Sequence, residues 1–205
     1  MKFPQVYLAS ASPRRHELLT QLGVPHQVLK VPSTGGEDEP RLPGESPAAY
    51  VERTAREKAQ RALEYLKQAP QRPAPHPVLA ADTTVILHDD ILGKPADVDE
   101  ARHMLRRLSG TEHEVRSAVV LAEPGRMLET VSITTVRFAV LDENDIDAYC
   151  ATGEPMDKAG AYGIQGLAGL FIEHISGSYT GVMGLPVYET GVLLRRWLRE
   201  KAAQP

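Results

Sequence analysis

Between Ser46 and Leu66 the apolar positions recur at helical spacing. At about 100° per residue, Val51, Ala55, Ala62 and Leu66 share one face, and Lys58 falls with them inside an arc of roughly 80°. Ser46 offers an N-cap and Pro47 suits the first helical position, so the pattern predicts a helix running to about Gln68. An ammonium on a buried face costs several kcal/mol unless an anion meets it. Lys58 therefore either snorkels to solvent or points into a cleft.

The rest of the chain alternates strand and helix patterns. Val6 to Ala9 reads as a short buried strand. Ser12 as N-cap and Pro13 at the first position open a helix that Gly23 stops. A strand is predicted over 26–31. Residues 32–43 mix Gly, Pro and acidic side chains and read as an exposed loop, and 71–77, with three prolines, as another. Val78 to Leu87 reads as a buried strand or strand pair turning at Asp89-Asp90. Asp97 and Glu100 form a capping-box pattern for a helix to Leu108, closed by Gly110. Two long antiparallel strands are predicted over 115–122 and 127–140 around Pro124-Gly125, with a bulge where apolar parity changes between Ile133 and Val136. A short helix over 142–151, a glycine-dense stretch over 159–169, a strand over 170–175 and a C-terminal helix over 186–199 complete the reading. This order of elements predicts one α/β domain, residues 1–205, built on a mixed sheet.

Composition narrows the classes. The chain has 205 residues, 42% hydrophobic and 24% charged, enough for one substantial core. A net charge of -4 and only 5% aromatics argue against nucleic-acid binding. No apolar run reaches membrane-spanning length, and the polar residues after Ala9 leave too short a stretch for a signal peptide. One cysteine, Cys150, excludes an intrachain disulfide framework and suits a reducing cytosol; on the apolar side of its helix it reads as a core residue. The seven histidines show no paired zinc spacing. A homodimer is the base-rate expectation for the assembly.

Several short segments carry candidate chemistry. Ser10-Ala11-Ser12-Pro13-Arg14-Arg15 lies where a strand ends and a helix begins. Free backbone N–H groups, two hydroxyls and two guanidiniums there suit a polyphosphate. The alternative is a helix cap followed by two solvated arginines. Asp82, after the apolar Val78–Ala81 run, is expected at the carboxyl end of a strand. It could bind a divalent metal or deprotonate a water, or simply accept hydrogen bonds from Thr83 or Thr84. Lys94, between Gly93 and Pro95, is either an aimed ammonium or an ordinary turn lysine. In the run Gly153 to Gly169, the Gln165 carboxamide can read a pyrimidine edge or cap its own loop.

Together these segments resemble the Maf family of nucleoside triphosphate pyrophosphatases over nearly the whole chain. The ordered motifs are Ser10 to Arg15, Glu57-Lys58-Ala59, Ala81-Asp82-Thr83, Gly93 to Pro95, Leu108 to Gly110, Glu154 to Gly166 and Gly184-Leu185-Pro186. The resemblance implies an elongated two-lobed α/β fold around a mixed twisted sheet, like that of inosine triphosphatases, with the site between the lobes. It implies cleavage between the α and β phosphates, with Asp82 as proton acceptor. It also implies cytoplasmic location and a divalent cation, Mg²⁺ or Mn²⁺. Asp82 and one acidic-loop carboxylate are the expected metal ligands. Ser33-Thr34-Gly35-Gly36 displaces that loop, and Glu39 is the residue assigned.

Lys58 and Lys94 are expected to act with Asp82 in catalysis. Ser10, Ser12, Arg14, Arg15, Thr83 and Gln165 are expected to bind substrate. Arg14, Thr83 and Gln165 match the subgroup acting on dTTP and UTP. The competing expectations are a nucleotide-binding regulator of septum formation without turnover, and a 7-methyl-GTP pyrophosphatase.

Overall fold

A computed structural model describes residues 2–32, 40–68 and 75–203. The elements are β1 (Val6–Leu8), α1 (Pro13–Gln21), β2 (His26–Val28), α2 (Pro47–Gln68), β3 (Val78–Leu87), β4 (Asp90–Leu92), α3 (Val98–Leu108), β5 (Glu112–Glu123), β6 (Arg126–Phe138), α4 (Glu143–Ala151), β7 (Ile172–Ser176), α5 (Tyr179–Val182) and α6 (Val187–Ala202). Three short 3₁₀ turns, 154–157, 159–161 and 167–171, lie between α4 and β7.

The strands form one mixed sheet in the order β2-β1-β3-β5-β6-β7, with β4 also on β3. β1 is parallel to β2 and β3; the remaining pairs are antiparallel. β5 and β6, twelve and thirteen residues long, run through the whole molecule. At about 3.4 Å per residue they span roughly 40 Å, which makes the fold elongated.

Two lobes share these strands. In the first, α1 and α6 cover one sheet face, burying Leu18, Leu19, Leu194 and Trp197 against Leu79, Val119 and Leu121. α2 covers the opposite face, where Val51, Ala55 and Ala59 meet Ala80, Ala118 and Ala122. Alanine on both sides lets helix and sheet approach closely, so a side chain from α2 can reach the strands beneath. In the second lobe, α3 and α4 pack on the far ends of β3, β5 and β6. Its core combines Leu105, Leu108 and Phe138 with Tyr149, Tyr162 and Phe171. The Phe138 and Tyr162 rings meet near edge-on, with centroids 4.9 Å apart.

One feature of sheet pairing makes the cleft. β1 accompanies β3 only as far as Leu79, and β4 joins the same edge of β3 at Val85. β5 pairs with the other edge throughout. Among the described residues, the stretch of β3 between, including Asp82 and Thr83, has one edge without a strand neighbour.

Several local expectations are corrected. Asp82 is not at a strand end; β3 continues to Leu87 because β5 keeps pairing with it. The crevice opens instead where β1 stops. No bulge lies between Ile133 and Val136, because β5 and β6 pair without interruption. Ile133 is turned outward, half exposed, while Ser132 and Thr134 face inward with their hydroxyls bonded to Glu189 and Ser178. The irregularity lies against β7, between Arg137 and Phe138. β2 ends at Val28, short of Val31, and β7 begins at Ile172 because 167–171 forms a 3₁₀ turn. Ser12 stands at the N-cap of α1, but its side chain makes no capping bond. Ser46 does cap α2, accepting from Ala49 N at 3.2 Å.

Candidate active site

The open edge of β3 floors a cleft of about 1200 Å³ between the lobes. Ser10, Ser12, Arg14, Arg15, Lys58, Asp82, Thr83, Lys94 and Gln165 all line it. Glu39 lies outside the described residues.

Asp82 and Thr83 point to opposite faces of the sheet, as neighbours on a strand must. On the α2 face, Lys58 Nζ donates to Asp82 Oδ1. The buried-face lysine thus aims inward, and the anion that compensates it is Asp82. Thr84 donates to the other oxygen, Oδ2, at 3.4 Å. Burial alone would raise the Asp82 pKa. The charge and hydrogen bond of Lys58, the charge of Arg15 and the Thr54 hydroxyl outweigh burial and hold it below the ordinary carboxylate range. Asp82 is therefore ionised at neutral pH, enclosed and close to solvent in the cleft.

On the other face, Arg15 is tied down. Its Nε donates to Gly184 O at 2.8 Å, Nη1 to Ser10 Oγ at 3.2 Å and Nη2 to Thr83 Oγ1 at 3.5 Å. Burial lowers its pKa, Asp82 opposes this and Arg14 adds to it. The Thr83 and Ser117 hydroxyls lie 2.7 Å apart, and Ser117 donates to Gly181 O at 2.7 Å. Sequence reasoning missed Ser117. Its signal was a lone hydroxyl inside the apolar run Val115 to Ala122.

Arg14 and Lys94 complete the ring. The α1 start sends Arg14 across the cleft to within 3.9 Å of Asp157. Lys94 follows β4, and its turn is fixed to the facing wall by Gly160 N donating to Gly93 O at 3.0 Å. Burial lowers the Lys94 pKa; Asp157 opposes this, and Arg14 and Arg15 push it further down. Lys94 is thus partly enclosed between the Asp157 carboxylate and the Arg14 and Arg15 guanidiniums.

Gln165 sits on the wall formed by 154–169. It is exposed in the cleft, in a turn closed by Gly166 N donating to Gly163 O at 3.0 Å. Just before it, the buried Ala161 holds a φ of 60°, a left-handed conformation that costs a non-glycine residue about 1 kcal/mol. Glu154, Asp157 and Lys158 also line this wall. Glu154 and Lys158 were not singled out from sequence, although their four-residue spacing places them on neighbouring turns.

Among the described residues there is no group of three His, Cys, Asp or Glu side chains suited to holding a metal. Magnesium usually takes one or two protein carboxylates, with waters and substrate phosphates completing the shell. Asp82, ionised and facing the cleft, fits that requirement.

The fold and the cleft define an α/β protein whose interlobe cleft is lined by cationic side chains beside one ionised carboxylate. Residues 5–197 match the family model described as Maf-like protein, and the chain belongs to the Maf family. It is 59% identical over 192 residues to a protein of Bordetella pertussis named dTTP/UTP pyrophosphatase, covering 94% of this chain and 92% of the relative. A protein of the same name from Chromobacterium violaceum is 50% identical over 192 residues, covering 93% of each chain. One from Dechloromonas aromatica is 49% identical over 197 residues, covering 94% of this chain and 96% of the relative.

Proposed function

We propose that this chain hydrolyses dTTP and UTP between the α and β phosphates, releasing the monophosphate and pyrophosphate. The observation that carries the chemistry is the enclosed Lys58–Asp82 pair on the floor of a cation-lined cleft. A site that only bound nucleotide would have little need of an ionised carboxylate beside the phosphates. The choice of base is supported by the name shared by relatives 49–59% identical over nearly the full chain.

In this reading the triphosphate lies along Arg14, Lys58 and Lys94. Asp82 orients the attacking water and accepts its proton. The cations take up charge that develops on the pyrophosphate as it leaves. Arg15 holds the Ser10 turn and the Gly184 carbonyl in place and adds its charge from behind. Thr83 and Gln165 contact the base. Asp82, with Glu39 as the second carboxylate, would hold Mg²⁺ or Mn²⁺, which neutralises phosphate charge when bound. The described chain has no helix long and apolar enough to cross a membrane. The substrate pool and the reduced Cys150 fit a cytoplasmic location.

The test is incubation of the purified protein with Mg²⁺ and UTP, dTTP, CTP, GTP, ATP or 7-methyl-GTP, with product chromatography and an EDTA control. Monophosphate and pyrophosphate from UTP and dTTP are expected, with loss of turnover in EDTA. Diphosphate and phosphate would move the cleaved bond. Binding without turnover would make the chain a regulator, and preference for 7-methyl-GTP would overturn the base assignment.

A further inference from the structure

The Gln165 side chain makes no hydrogen bond among the described residues. Its aim into the cleft is therefore set by the backbone of its turn, and the question becomes what holds that turn. The structure gives a definite answer in Glu154. One carboxylate oxygen, Oε2, accepts from Leu167 N at 3.1 Å. The other, Oε1, accepts from the Tyr149 hydroxyl at 3.2 Å. A single carboxylate thus ties the residues that follow Gln165 to the body of α4.

The fit is close. A Cβ built on Gly166 would lie 1.9 Å from Glu154 Oε1, so only glycine lets the turn rest against this carboxylate. The start of the turn packs against Lys158, the residue that follows the 154–157 segment. A Cβ on Gly163 would lie 2.7 Å from Lys158 Cε, and Lys158 Nζ donates to Glu154 O at 2.6 Å and Asp157 Oδ1 at 2.5 Å. Glu154 bonds the residue that ends the Gln165 turn, and the Lys158 side chain packs beside its start. Burial, and then Glu154 beside it, push the Tyr149 phenol well above its usual value, so its hydroxyl stays protonated and remains a donor.

We propose that Glu154 is a positioning residue for base selection: its carboxylate, anchored by Tyr149, holds the Leu167 N–H and so fixes where the Gln165 carboxamide meets the nucleobase. This rests on the dTTP/UTP reading above. Glu154 does not touch the Lys58–Asp82 pair, so it governs which nucleotide is accepted and not how the phosphoanhydride is cut.

The experiment compares kcat/KM for UTP and GTP in the wild type, Glu154→Ala, Glu154→Gln, Tyr149→Phe, Gln165→Ala and the Glu154→Ala/Gln165→Ala double variant. For Glu154→Ala, the UTP-over-GTP ratio is expected to fall by at least about tenfold, chiefly through a raised KM for UTP with kcat changed less. Glu154→Gln is expected to rescue most of the ratio, because its amide oxygen still accepts from Leu167 and its NH₂ still meets Tyr149. Tyr149→Phe removes the anchor, and with it the phenol's contact with the Gly163 backbone, and a smaller loss in the same direction is expected from a variant that keeps the ring. Once Gln165 is alanine, removing Glu154 should lower the ratio no further.

If Gln165→Ala loses the preference while both Glu154→Ala and Tyr149→Phe keep it, the positioning role is overturned and the base reading stands. A ratio that falls further in the double variant than in Gln165→Ala also overturns it. If the wild type itself does not prefer UTP, the base reading fails and this inference fails with it. Should Glu154→Ala not fold, Tyr149→Phe and Glu154→Gln decide the question: a Tyr149→Phe ratio equal to wild type refutes the proposal.

Discussion

Lys58 on α2 and Asp82 on β3, 24 positions apart in the chain, meet in one ion pair between helix and sheet. Both side chains are mostly enclosed, at 23% and 12% exposed. Replacing Lys58 by Met leaves Asp82 without its main counter-charge in a site that burial disfavours. Urea unfolding should show a loss of about 2–3 kcal/mol, less than for a fully enclosed pair because water reaches this one. Asp82→Asn removes the proposed proton acceptor but keeps the shape. It should fold, and lose most turnover. Normal turnover in Asp82→Asn would remove Asp82 from the chemistry.

Stability should fall in acid in two separable stages. Burial pushes His113 from 6.5 to about 4, with its Nε2 2.7 Å from the Tyr162 hydroxyl. Between those values the unfolded chain binds a proton that the folded chain refuses. Its contribution is intact above pH 6.5 and is lost as pH falls towards 4, by roughly 3 kcal/mol at most. Asp82, with its pKa held low, acts further down. Its contribution is complete above the ordinary carboxylate pKa of about 4 and disappears as pH falls through the depressed value. Denaturation midpoints at closely spaced pH should show His113→Gln flattening the upper stage, and Asp82→Asn reducing the lower one, which Glu45 and other ion-paired carboxylates share. A His113→Gln protein with the wild-type slope between pH 4 and 6.5 would contradict this.

Gln165 faces the cleft from the wall opposite the arginines. Truncation to alanine should erode discrimination between UTP and GTP more than phosphate binding. Steady-state kinetics should show the ratio of kcat/KM values collapsing, with the inhibition constant for pyrophosphate changed little. An unchanged preference would place base reading elsewhere.

Gly184 has a φ of +112°, and its carbonyl accepts from Arg15 Nε at 2.8 Å. An added methyl group has room, since the nearest atom is Arg15 Nε at 3.6 Å. The backbone conformation is what alanine resists. Gly184→Ala should cost about 1–2 kcal/mol by thermal or urea unfolding and raise KM by loosening Arg15. Wild-type stability in this variant would show that the turn accepts a side chain without strain.

Much of the site was legible because its residues violate local pattern. Lys58 breaks an apolar stripe, Asp82 interrupts an apolar strand, and Lys94 sits between glycine and proline. Such conflicts are visible one segment at a time. The opposing faces of Asp82 and Thr83 were not, because 78–87 read as either one strand or a strand pair, and Asp82 was placed at a strand's carboxyl end. That expectation treated the end of the apolar run as the end of pairing, whereas β5 continues alongside. The bulge was misplaced for a related reason. It was set from apolar parity between Ile133 and Val136, yet the buried positions there include Ser132 and Thr134, each with a partner from a distant segment, Glu189 or Ser178. The grip of Glu154 on Leu167 spans thirteen residues and passes through a backbone N–H, which leaves no mark on side-chain pattern.

The unbroken pairing of β5 with β6, from Glu112 against Arg137 to Glu123 against Arg126, has a mechanical consequence. These two strands act as a common spine for both lobes. Swinging one lobe against the other would shear that ladder, and each broken rung would leave backbone groups without partners. The distance between the cationic wall and the Gln165 wall is thus close to a built-in dimension of the protein. Under the proposed function, a nucleotide would be measured against a gauge of set width, and selection would fall to side chains and short turns, not to a hinge.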